Sequence, residues 1–168
     1  MNSKDKKNFR IVVFSDTHGS FRHMNRIFRK NPNADLFIFL GDGEDELERV
    51  KRLYPDKNII SVCGNCDDYS NAPKELLYTA PDGRKLFCTH GNGYSVNSSL
   101  DRLYYRALEL NADIVCFGHT HSRYYKYADG LHILNPGSAS CPRDGLDPSY
   151  AFIDLLENGI FCTHVELK

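Results

Sequence analysis

Apolar residues in the first third of the chain occur in short runs separated by amphipathic segments. Strand-length runs cover residues 11–15, 36–40 and 59–63. Two segments instead have helical periodicity. The first follows Ser20, which is placed to cap it, and the second covers residues 44–54. The predicted inward positions of these helices are Phe21, Met24, Ile27 and Phe28, and then Leu47, Val50, Leu53 and Tyr54. Strands alternating with helices predict a parallel sheet with crossover helices.

The rest of the chain contains strand pairs joined by tight turns. Turn signals separate residues 76–79 from 84–88, 124–127 from 131–134, and 151–155 from 160–167. Asp-Gly or Asn-Gly pairs in these turns favour β-hairpins. Residues 98–110 have helical periodicity, with Ser98 and Asp101 as a capping pair, and residues 114–117 form a further strand. The predicted inner face of this helix is Leu100, Leu103, Tyr104, Ala107 and Leu108. We therefore expect an α/β fold with two sheets packed face to face and helices outside.

Length and composition indicate one folded domain. The chain has 168 residues, of which 41% are hydrophobic and 26% are charged. We assign residues 1–8 to a disordered tail and residues 9–168 to a single domain. The tail lacks the apolar core of a signal peptide, and no apolar run is long enough to span a bilayer. These features predict a cytoplasmic protein with no membrane partner.

Charge argues against one class of partner. The chain has 21 Lys and Arg residues and 22 Asp and Glu residues, which gives a formal net charge of -1. Proteins that bind nucleic-acid backbones usually carry a basic excess or a basic stripe. Long DNA or RNA is therefore not the favoured partner.

Six cysteines raise the question of disulfides or metal binding. Cys63, Cys88, Cys116 and Cys162 lie in or beside apolar runs, where cysteine behaves as a small buried hydrophobic residue. Cys63 and Cys66 form a C-x-x-C pair, but no second pair completes a structural zinc site. The surrounding sequence also does not resemble a redox motif at the start of a helix. The sequence favours neither a disulfide framework nor a zinc ribbon.

Residues with catalytic potential follow the apolar strands. In five places a strand is followed by Asp, His or Asn beside glycine: Asp16-Thr17-His18-Gly19, Gly41-Asp42-Gly43, Gly64-Asn65-Cys66-Asp67, Thr89-His90-Gly91-Asn92 and Gly118-His119-Thr120-His121. The carboxyl ends of strands are where sites form in open α/β sheets, and glycine allows the tight turns that bring side chains together. Alternate residues of an extended Asp-x-His or His-x-His segment point the same way. The five segments therefore predict one shared cavity.

Carboxylate and imidazole groups in this combination favour metal binding. Such ligands suit the divalent ions of Mn, Fe, Co, Ni and Zn, whereas a structural zinc site usually has thiolate ligands. Two neighbouring cations repel each other and need an anionic bridge between them. Asp42 is the candidate for that bridge, because one carboxylate offers two oxygens.

These five blocks, in this order, resemble the signature of the calcineurin-like metallophosphoesterases. That signature is D-x-H, G-D, G-N-[H/C]-[E/D], a later His and G-H-x-H, and its blocks run here from Asp16 to His121. Their short forms, together with Asn135-Pro136-Gly137-Ser138, look like the small bacterial and archaeal phosphodiesterase branch. The resemblance implies an αββα sandwich of two mixed sheets flanked by helices, the metallo-dependent phosphatase fold.

The resemblance also implies a ligand set and a reaction. One divalent metal would be held by Asp16, His18, Asp42 and His121, and a second by Asp42, Asn65, His90 and His119. Manganese is the expected ion, with Ni, Fe, Co or Zn as alternatives. A hydroxide bridging the two ions would attack a small phosphodiester, and Asn65 and His119 would stabilise the phosphate in catalysis.

One position departs from the pattern of many relatives. They have His after the Asn, and this His is thought to protonate the leaving group, whereas this chain has Cys66. A thiol is a poorer match than imidazole for proton transfer at neutral pH, so simple alkoxide leaving groups are less suitable. The phosphodiesterase branch shares this Cys. Asp67, counted among the catalytic candidates, supports the loop or takes part in proton transfer, and the sequence does not separate these roles.

Two other functions fit the same resemblance. The first is a phosphomonoesterase acting on a nucleotide or a phosphoprotein. The second is a non-catalytic scaffold, because the fold also resembles a retromer subunit that acts by protein contact and has a weakened metal site. This chain keeps every expected metal-binding side chain, which favours the enzyme. By analogy with relatives, a homo-oligomer, either a dimer or a tetramer, is a further expectation.

Several other residues have simpler explanations. His132 and His164 lie in hairpin strands and are not expected to be ligands. The tyrosines of residues 124–127 either line a substrate groove by stacking or lie on a half-exposed edge strand. Residues 135–138 are either a loop that faces the phosphate or a plain turn. The sequence leaves both of these choices open.

Overall fold

Fourteen elements of regular structure follow one another in the computed structural model, which describes residues 8–168. In chain order they are β1 (Asn8–Phe14), α1 (Phe21–Lys30), β2 (Leu36–Phe39), α2 (Glu44–Leu53), β3 (Ile59–Ser61), β4 (Glu75–Thr79), β5 (Lys85–Thr89), a 3-10 turn (Asn92–Tyr94), α3 (Asp101–Glu109), β6 (Ile114–Cys116), β7 (Arg123–Ala128), β8 (Leu131–Pro136), β9 (Ser149–Leu156) and β10 (Gly159–Glu166). The predicted strand–helix alternation and the three hairpins are confirmed.

The strands form two five-stranded mixed sheets. Sheet A has the order β10-β9-β1-β2-β3, in which β1, β2 and β3 run parallel and β9 is antiparallel to β1. Sheet B has the order β4-β5-β6-β8-β7, in which β5, β6 and β8 run parallel and the edge strands β4 and β7 are antiparallel. The three parallel strands are adjacent in each sheet, in the middle of sheet B and extending to the edge strand β3 in sheet A, so their carboxyl ends point in one direction within each sheet.

Three hydrophobic layers hold four layers of structure together. Between the two sheets lies a core of aliphatic and cysteine side chains that includes Val13, Ile38, Cys88 and Cys116. Phe and Met residues pack between sheet A and the pair α1 and α2, and a third cluster packs α3 onto sheet B. The central strands are buried on both faces, which explains why they read as continuous apolar runs. The predicted αββα sandwich is confirmed.

Helix ends and helix faces differ from the prediction in four places. Helix α3 begins at Asp101, and the Ser99 hydroxyl, rather than that of Ser98, accepts the Asp101 N–H at 3.1 Å. Ser20 stands at the start of α1, but its hydroxyl contacts the His23 ring instead of capping. The side chains predicted to point inward at the ends of two helices are exposed, with Leu53 at 58% and Leu108 at 40%.

The boundary of the predicted tail also shifts. Asn8 begins β1 and pairs with Leu156 of β9, so it belongs to sheet A. Residues 1–7, the rest of that predicted tail, lie outside the described residues. All six cysteines are free thiols, as the absence of a disulfide framework predicts. Among residues 8–168, no helix combines the length and the apolar character needed to cross a membrane.

Candidate metal centre

Loops from both sheets meet at one edge of the sandwich. In sheet A, the loop after β1 carries Asp16 and His18, the loop after β2 carries Asp42, and the loop after β3 carries Asn65. In sheet B, the loop after β5 carries His90, and the loop after β6 carries His119 and His121. Three groups of possible ligand atoms result, and within each group the atoms lie within 4.8 Å of one another. Two of these groups contain Asp16, namely Asp16–His18–His121 and Asp16–Asp42–His90. The convergence that the strand ends predict is therefore present for Asp16, His18, Asp42, His90 and His121.

Two carboxylate oxygens lie at the centre of this cluster. Asp16 Oδ1 is 3.3 Å from His121 Nε2 and 3.8 Å from the Nε2 atoms of both His18 and His90. Asp42 Oδ2 is 3.3 Å from His90 Nε2 and 3.7 Å from His18 Nε2. Two ligand atoms that each lie about 2 Å from the same ion are separated by about 3 to 4 Å. The spacing of the donor atoms thus fits ions placed between them.

Two buried polar atoms in the cluster have no partner of their own. Asp16 Oδ1 and His90 Nε2 are fully buried and make no hydrogen bond, and their side chains are 0% and 1% exposed. A buried polar atom without a partner costs free energy, so such atoms occur where something else satisfies them. A lone pair on the imidazole and a carboxylate oxygen are together a ligand pair for a divalent cation. The residues present therefore fit bound metal.

Hydrogen bonds to backbone carbonyls orient the rings of two histidines. His90 Nδ1 is 2.7 Å from the carbonyl oxygen of Leu40, and His121 Nδ1 is 2.8 Å from that of Cys141. A carbonyl only accepts hydrogen bonds, so each Nδ1 carries the proton and donates it. The remaining nitrogen, Nε2, then presents its lone pair to the cluster. Such backing contacts are typical of metal-binding histidines.

Electrostatics keeps the two carboxylates charged. Burial opposes the charged form of Asp16, but the neighbouring imidazoles of His121, His18 and His90 favour it and hold its pKa well below the usual value. Burial likewise opposes ionisation of Asp42, and His90 reverses that effect, so its pKa is also lowered. The nearby carboxylate of Asp16, 3.8 Å away, raises the pKa of His18. Burial opposes the charged form of His90, but Asp42 and Asp16 raise its pKa overall. The centre is a concentrated negative site that attracts positive charge.

Strained backbone marks most of the candidate ligands. Five of the seven have φ in the left-handed region: Asp16 at 57°, His18 at 42°, Asp42 at 62°, His119 at 68° and His121 at 56°. Non-glycine residues adopt this region rarely, and such strain persists only where the surrounding structure imposes it. The fold therefore loses some stability in orienting these side chains. The predicted extended conformation of the Asp16–His18 and His119–His121 segments is therefore wrong, and their side chains converge through left-handed turns instead.

Glycine allows the loops after β2 and β3 to touch. A Cβ on Gly64 would lie 2.0 Å from Asp42 Oδ1 and 2.5 Å from the Asp42 nitrogen. Because a Cβ does not fit at such distances, only glycine lets the Asn65 loop approach the Asp42 loop so closely. The close approach holds two predicted ligand loops against each other.

Replacing Gly64 by Ala should therefore lower both stability and metal binding. Forcing a Cβ into this contact is expected to reduce the free energy of unfolding by about 1–3 kcal/mol and to displace Asp42. Gly93→Ala is the matched control, because nothing lies within 4 Å of its Cβ position. Denaturant unfolding of the metal-free proteins and titration calorimetry with Mn²⁺ measure the two effects. If Gly64→Ala matched the control in both, the contact would not matter.

Asp67 ties the same two loops together through backbone groups. Its carboxylate accepts the N–H groups of Asp42 at 2.8 Å, Gly43 at 2.9 Å, Glu44 at 3.1 Å and Gly64 at 2.8 Å. Glu44 begins α2, so the carboxylate also lies at a helix N-terminus, where negative charge is favoured. Both oxygens are fully engaged. These bonds support the loop-supporting role of Asp67, whereas its catalytic role stays a prediction.

Other supporting residues were missed by the sequence analysis. The Ser138 hydroxyl donates to the Asp16 carbonyl at 2.7 Å, and the Ser140 hydroxyl donates to the Thr17 carbonyl at 2.8 Å. Residues 135–138 thus brace the Asp16 loop, which favours a structural turn over a loop that contacts phosphate. Glu46 accepts the N–H of Gly19 at 2.6 Å and is buried. The sequence offered one signal for this, because Glu46 lies four residues before the buried Val50 and therefore on the same face of α2.

Two predicted residues, His119 and Asn65, lie at the rim of the cluster. The His119 ring is 5.2 Å from the His90 ring, and burial together with the charge of His90 lowers its pKa. Asn65 is exposed, and its amide group is 3.4 Å from the Cys66 sulfur. The roles of Asn65 and His119 as ligands and in phosphate binding stay predictions. His132 and His164 contact Tyr125 and the Asn135 carbonyl instead, away from the cluster.

A cleft of about 970 Å³ opens beside the cluster, between α2 and the segment that joins β3 to β4. Its lining includes His18, Asp42 and Cys66, so the cleft leads to the candidate ligands. Acidic residues dominate the remaining charged lining, which consists of Glu44, Asp45, Glu46, Glu48, Asp67 and Asp68 with the single cation Lys51. Tyr124, Tyr125 and Tyr127 lie elsewhere, on the edge strand β7, which is the second of the two alternatives that the sequence left open.

Sequence comparison places the chain among known proteins. Residues 9–158 match the family model of the calcineurin-like phosphoesterase superfamily domain. The chain is 38% identical over 146 residues to the probable metallophosphoesterase YsnB of Bacillus subtilis, covering 86% of this chain and 83% of that protein. It is 28% identical over 169 residues to the phosphodiesterase YfcE of Escherichia coli K12, covering 86% and 87%.

Solved structures show the same fold. A predicted phosphoesterase from Streptococcus pneumoniae TIGR4 superposes with a TM-score of 0.83 at 28% identity and covers 96% of this chain and 93% of its own. Wild-type Vps29 from Entamoeba histolytica, solved with zinc, gives a TM-score of 0.70 at 19% identity, with coverage of 95% and 100%. The family binds divalent metals, and this chain has candidate ligand groups for them. Over nearly its whole length, the chain belongs to the calcineurin-like phosphoesterase superfamily.

Proposed function

We propose that the protein is a metal-dependent phosphodiesterase that hydrolyses a small phosphodiester at a pair of divalent ions. The observation that carries this proposal is the pair of buried carboxylates, Asp16 and Asp42, each within 3.8 Å of histidine nitrogens from both sheets. Its relative YfcE is named as a phosphodiesterase, which supports the same class of reaction.

The proposed assignment gives Asp42 the central position. The first ion would be held by Asp16, His18, Asp42 and His121, and the second by Asp42, Asn65, His90 and His119. Asp42 Oδ2 faces one histidine of each set, His18 and His90, while its Oδ1 accepts the Cys66 N–H at 2.8 Å. The carboxylate is therefore anchored on one side and free to bridge on the other. Manganese is the ion we propose.

The residues of the chain bind and orient the reactants. Two divalent ions would supply the positive charge that activates water for attack and stabilises negative charge on the phosphoryl oxygens. In their neutral form, His90 and His121 would present the lone pairs of their Nε2 atoms to the ions, because their Nδ1 atoms donate to backbone carbonyls. We propose that His119 and the amide NH₂ of Asn65 donate hydrogen bonds to the phosphate, where charge grows in the transition state.

The charge of the cleft supports a small substrate. Six acidic side chains and one lysine line the part that extends beyond His18 and Asp42. A polyanion such as DNA or RNA would meet like charge there, whereas an uncharged or cationic ester arm would not. The proposed substrate is therefore a small phosphodiester without further negative charge.

Metal removal and a matched pair of substrates test the proposal. Chelation should abolish hydrolysis of bis-nitrophenyl phosphate, and Mn²⁺ should restore it, because the buried carboxylates need the cations to act on phosphate. A nitrophenyl monoester has the same leaving group but one more negative charge, and we expect it to react at least about tenfold more slowly in kcat/KM. Initial rates by absorbance and bound metal by elemental analysis are the measurements.

The outcome also separates the competing functions. Faster hydrolysis of the monoester would make the protein a phosphomonoesterase. Absence of bound metal together with no gain of activity on adding Mn²⁺ would instead favour a scaffold, a possibility that the structural likeness to Vps29 keeps relevant.

A further inference from the structure

A third group of donor atoms lies at the mouth of the centre. Atoms of His18, Asp42 and Cys66 lie within 4.8 Å of one another, the same closeness found in the two groups above. The ligand sets proposed above do not include the Cys66 thiol. Two members of this group, His18 and Asp42, belong to the proposed first metal position.

The Cys66 sulfur is held in place and remains accessible. The Cys66 N–H donates to Asp42 Oδ1 at 2.8 Å, which fixes the backbone next to the carboxylate. The Asn65 amide donates to the sulfur at 3.4 Å from the other side. Cys66 is exposed and lines the cleft, so an ion that enters the cleft meets the sulfur beside His18 and Asp42. Asp42 itself is only 3% exposed, so its charge is poorly screened.

We propose that His18, Asp42 and Cys66 form a binding site for a thiophilic divalent ion, such as Zn²⁺ or Cd²⁺. Sulfur and imidazole donors select soft and borderline ions, whereas Mn²⁺ prefers oxygen and nitrogen. On binding, the S–H bond of Cys66 breaks, a sulfur–metal bond forms and the proton passes to solvent. The site rests on the proposed metal centre, because it shares two of its side chains.

Because both sites use His18 and Asp42, an ion bound with Cys66 and an ion at the proposed first metal position exclude each other. An ion held by Cys66 uses His18 and Asp42, so it competes with Mn²⁺ for the first position. The thiolate also lowers the net positive charge that the bound ion offers to an anionic diester at the mouth of the cleft. Zn²⁺ and Cd²⁺ should therefore inhibit the Mn²⁺-loaded protein, and Cys66 determines how strongly.

A spectroscopic titration of the chelator-treated full chain tests the site. Cd²⁺ or Co²⁺ should produce the ultraviolet charge-transfer absorbance of a thiolate–metal bond, and Cys66→Ser should remove it. Cys66→Ser should also weaken Cd²⁺ binding at least about tenfold in calorimetry while changing Mn²⁺ binding less than about twofold, because only the soft ion uses sulfur. Circular dichroism would check that the variant is folded.

Two further variants identify the side chains that produce the absorbance. Cys141→Ser, the matched control at the other exposed cysteine, should keep it, and His18→Ala should weaken it because His18 belongs to the same group. An absorbance that survives Cys66→Ser, or an unchanged ratio of Cd²⁺ to Mn²⁺ affinity, would overturn the proposal. If Mn²⁺ supports hydrolysis but no thiolate band forms, this site fails and the proposed function stands. If the thiolate band forms but Mn²⁺ supports no hydrolysis, the Cys66 site stands and the proposed function fails.

Discussion

Asp42→Asn should abolish phosphodiester hydrolysis while leaving the chain folded. We expect kcat/KM to fall by about 10³-fold or more, equivalent to about 4 kcal/mol of transition-state stabilisation. The reason is that Asp42 Oδ2 lies beside histidines of both proposed sets, His18 and His90. An amide in that place carries no charge, so it cannot hold two cations together.

The fold should tolerate this change. Asn has nearly the same shape as Asp, and its carbonyl can still accept the Cys66 N–H that Asp42 Oδ1 now accepts. Removing the charge of Asp42 relieves its burial and its repulsion by Asp16, but it also loses the contact with His90 that lowers its pKa, so these effects on stability partly cancel. Thermal unfolding of the metal-free variant should therefore be close to that of the parent chain.

Asp45→Asn is the control for this experiment. Asp45 is exposed and lines the same cleft, so the control removes the same charge without touching the cluster. Elemental analysis should find two ions per chain in the parent and control and fewer in Asp42→Asn. Full activity in Asp42→Asn would defeat the proposed bridge.

Asp67→Ala should lower both stability and activity, because Asp67 is the common acceptor of two ligand loops. Removing the carboxylate leaves the N–H groups of Asp42, Gly43, Glu44 and Gly64 without their acceptor. Part-buried backbone donors that lose their partner cost free energy, and for the set we expect a loss of about 2–4 kcal/mol. Urea unfolding of the metal-free protein measures this loss.

Asp68→Ala and a pH profile separate support from proton transfer. Asp68 is the exposed neighbour, and its removal should leave unfolding unchanged. If Asp67 only holds the loops, Asp67→Ala lowers kcat at all pH values without changing the shape of the profile. Loss of one limb of the profile with intact stability would instead assign Asp67 to proton transfer, since that limb reports the titration of an essential acid or base.

The sequence predicted the position of the centre because it follows from strand geometry. Asp16, Asp42 and His90 each come after a central strand, and parallel strands deliver their carboxyl ends to one edge. Hydrophobic runs of four or more residues were sufficient to locate those strands. The same reasoning predicted two packed sheets, because hairpins cannot continue a doubly wound parallel sheet.

The supports of the centre were less predictable for a physical reason. Asp67 and Ser138 act on backbone groups far along the chain, and such contacts leave no periodic trace in a sequence. The Cys66 sulfur joins His18 and Asp42 only through the fold. The start of α3 was misplaced because residues 95–99 form hydrogen-bonded turns before the helix, in which the N–H groups of Ser98 and Ser99 donate to the Ser95 carbonyl.

One consequence follows from the division of the candidate ligands between the two sheets. Asp16 and Asp42 belong to sheet A, whereas His90 and His121 belong to sheet B, so any ion held by this set fastens one half of the sandwich to the other. Unfolded chain does not present these groups together, and a ligand that binds only the native state stabilises it by mass action. The proposed ions would therefore cross-link the two sheets, and we expect removal of metal to shorten the lifetime of the folded protein as well as to stop the proposed hydrolysis.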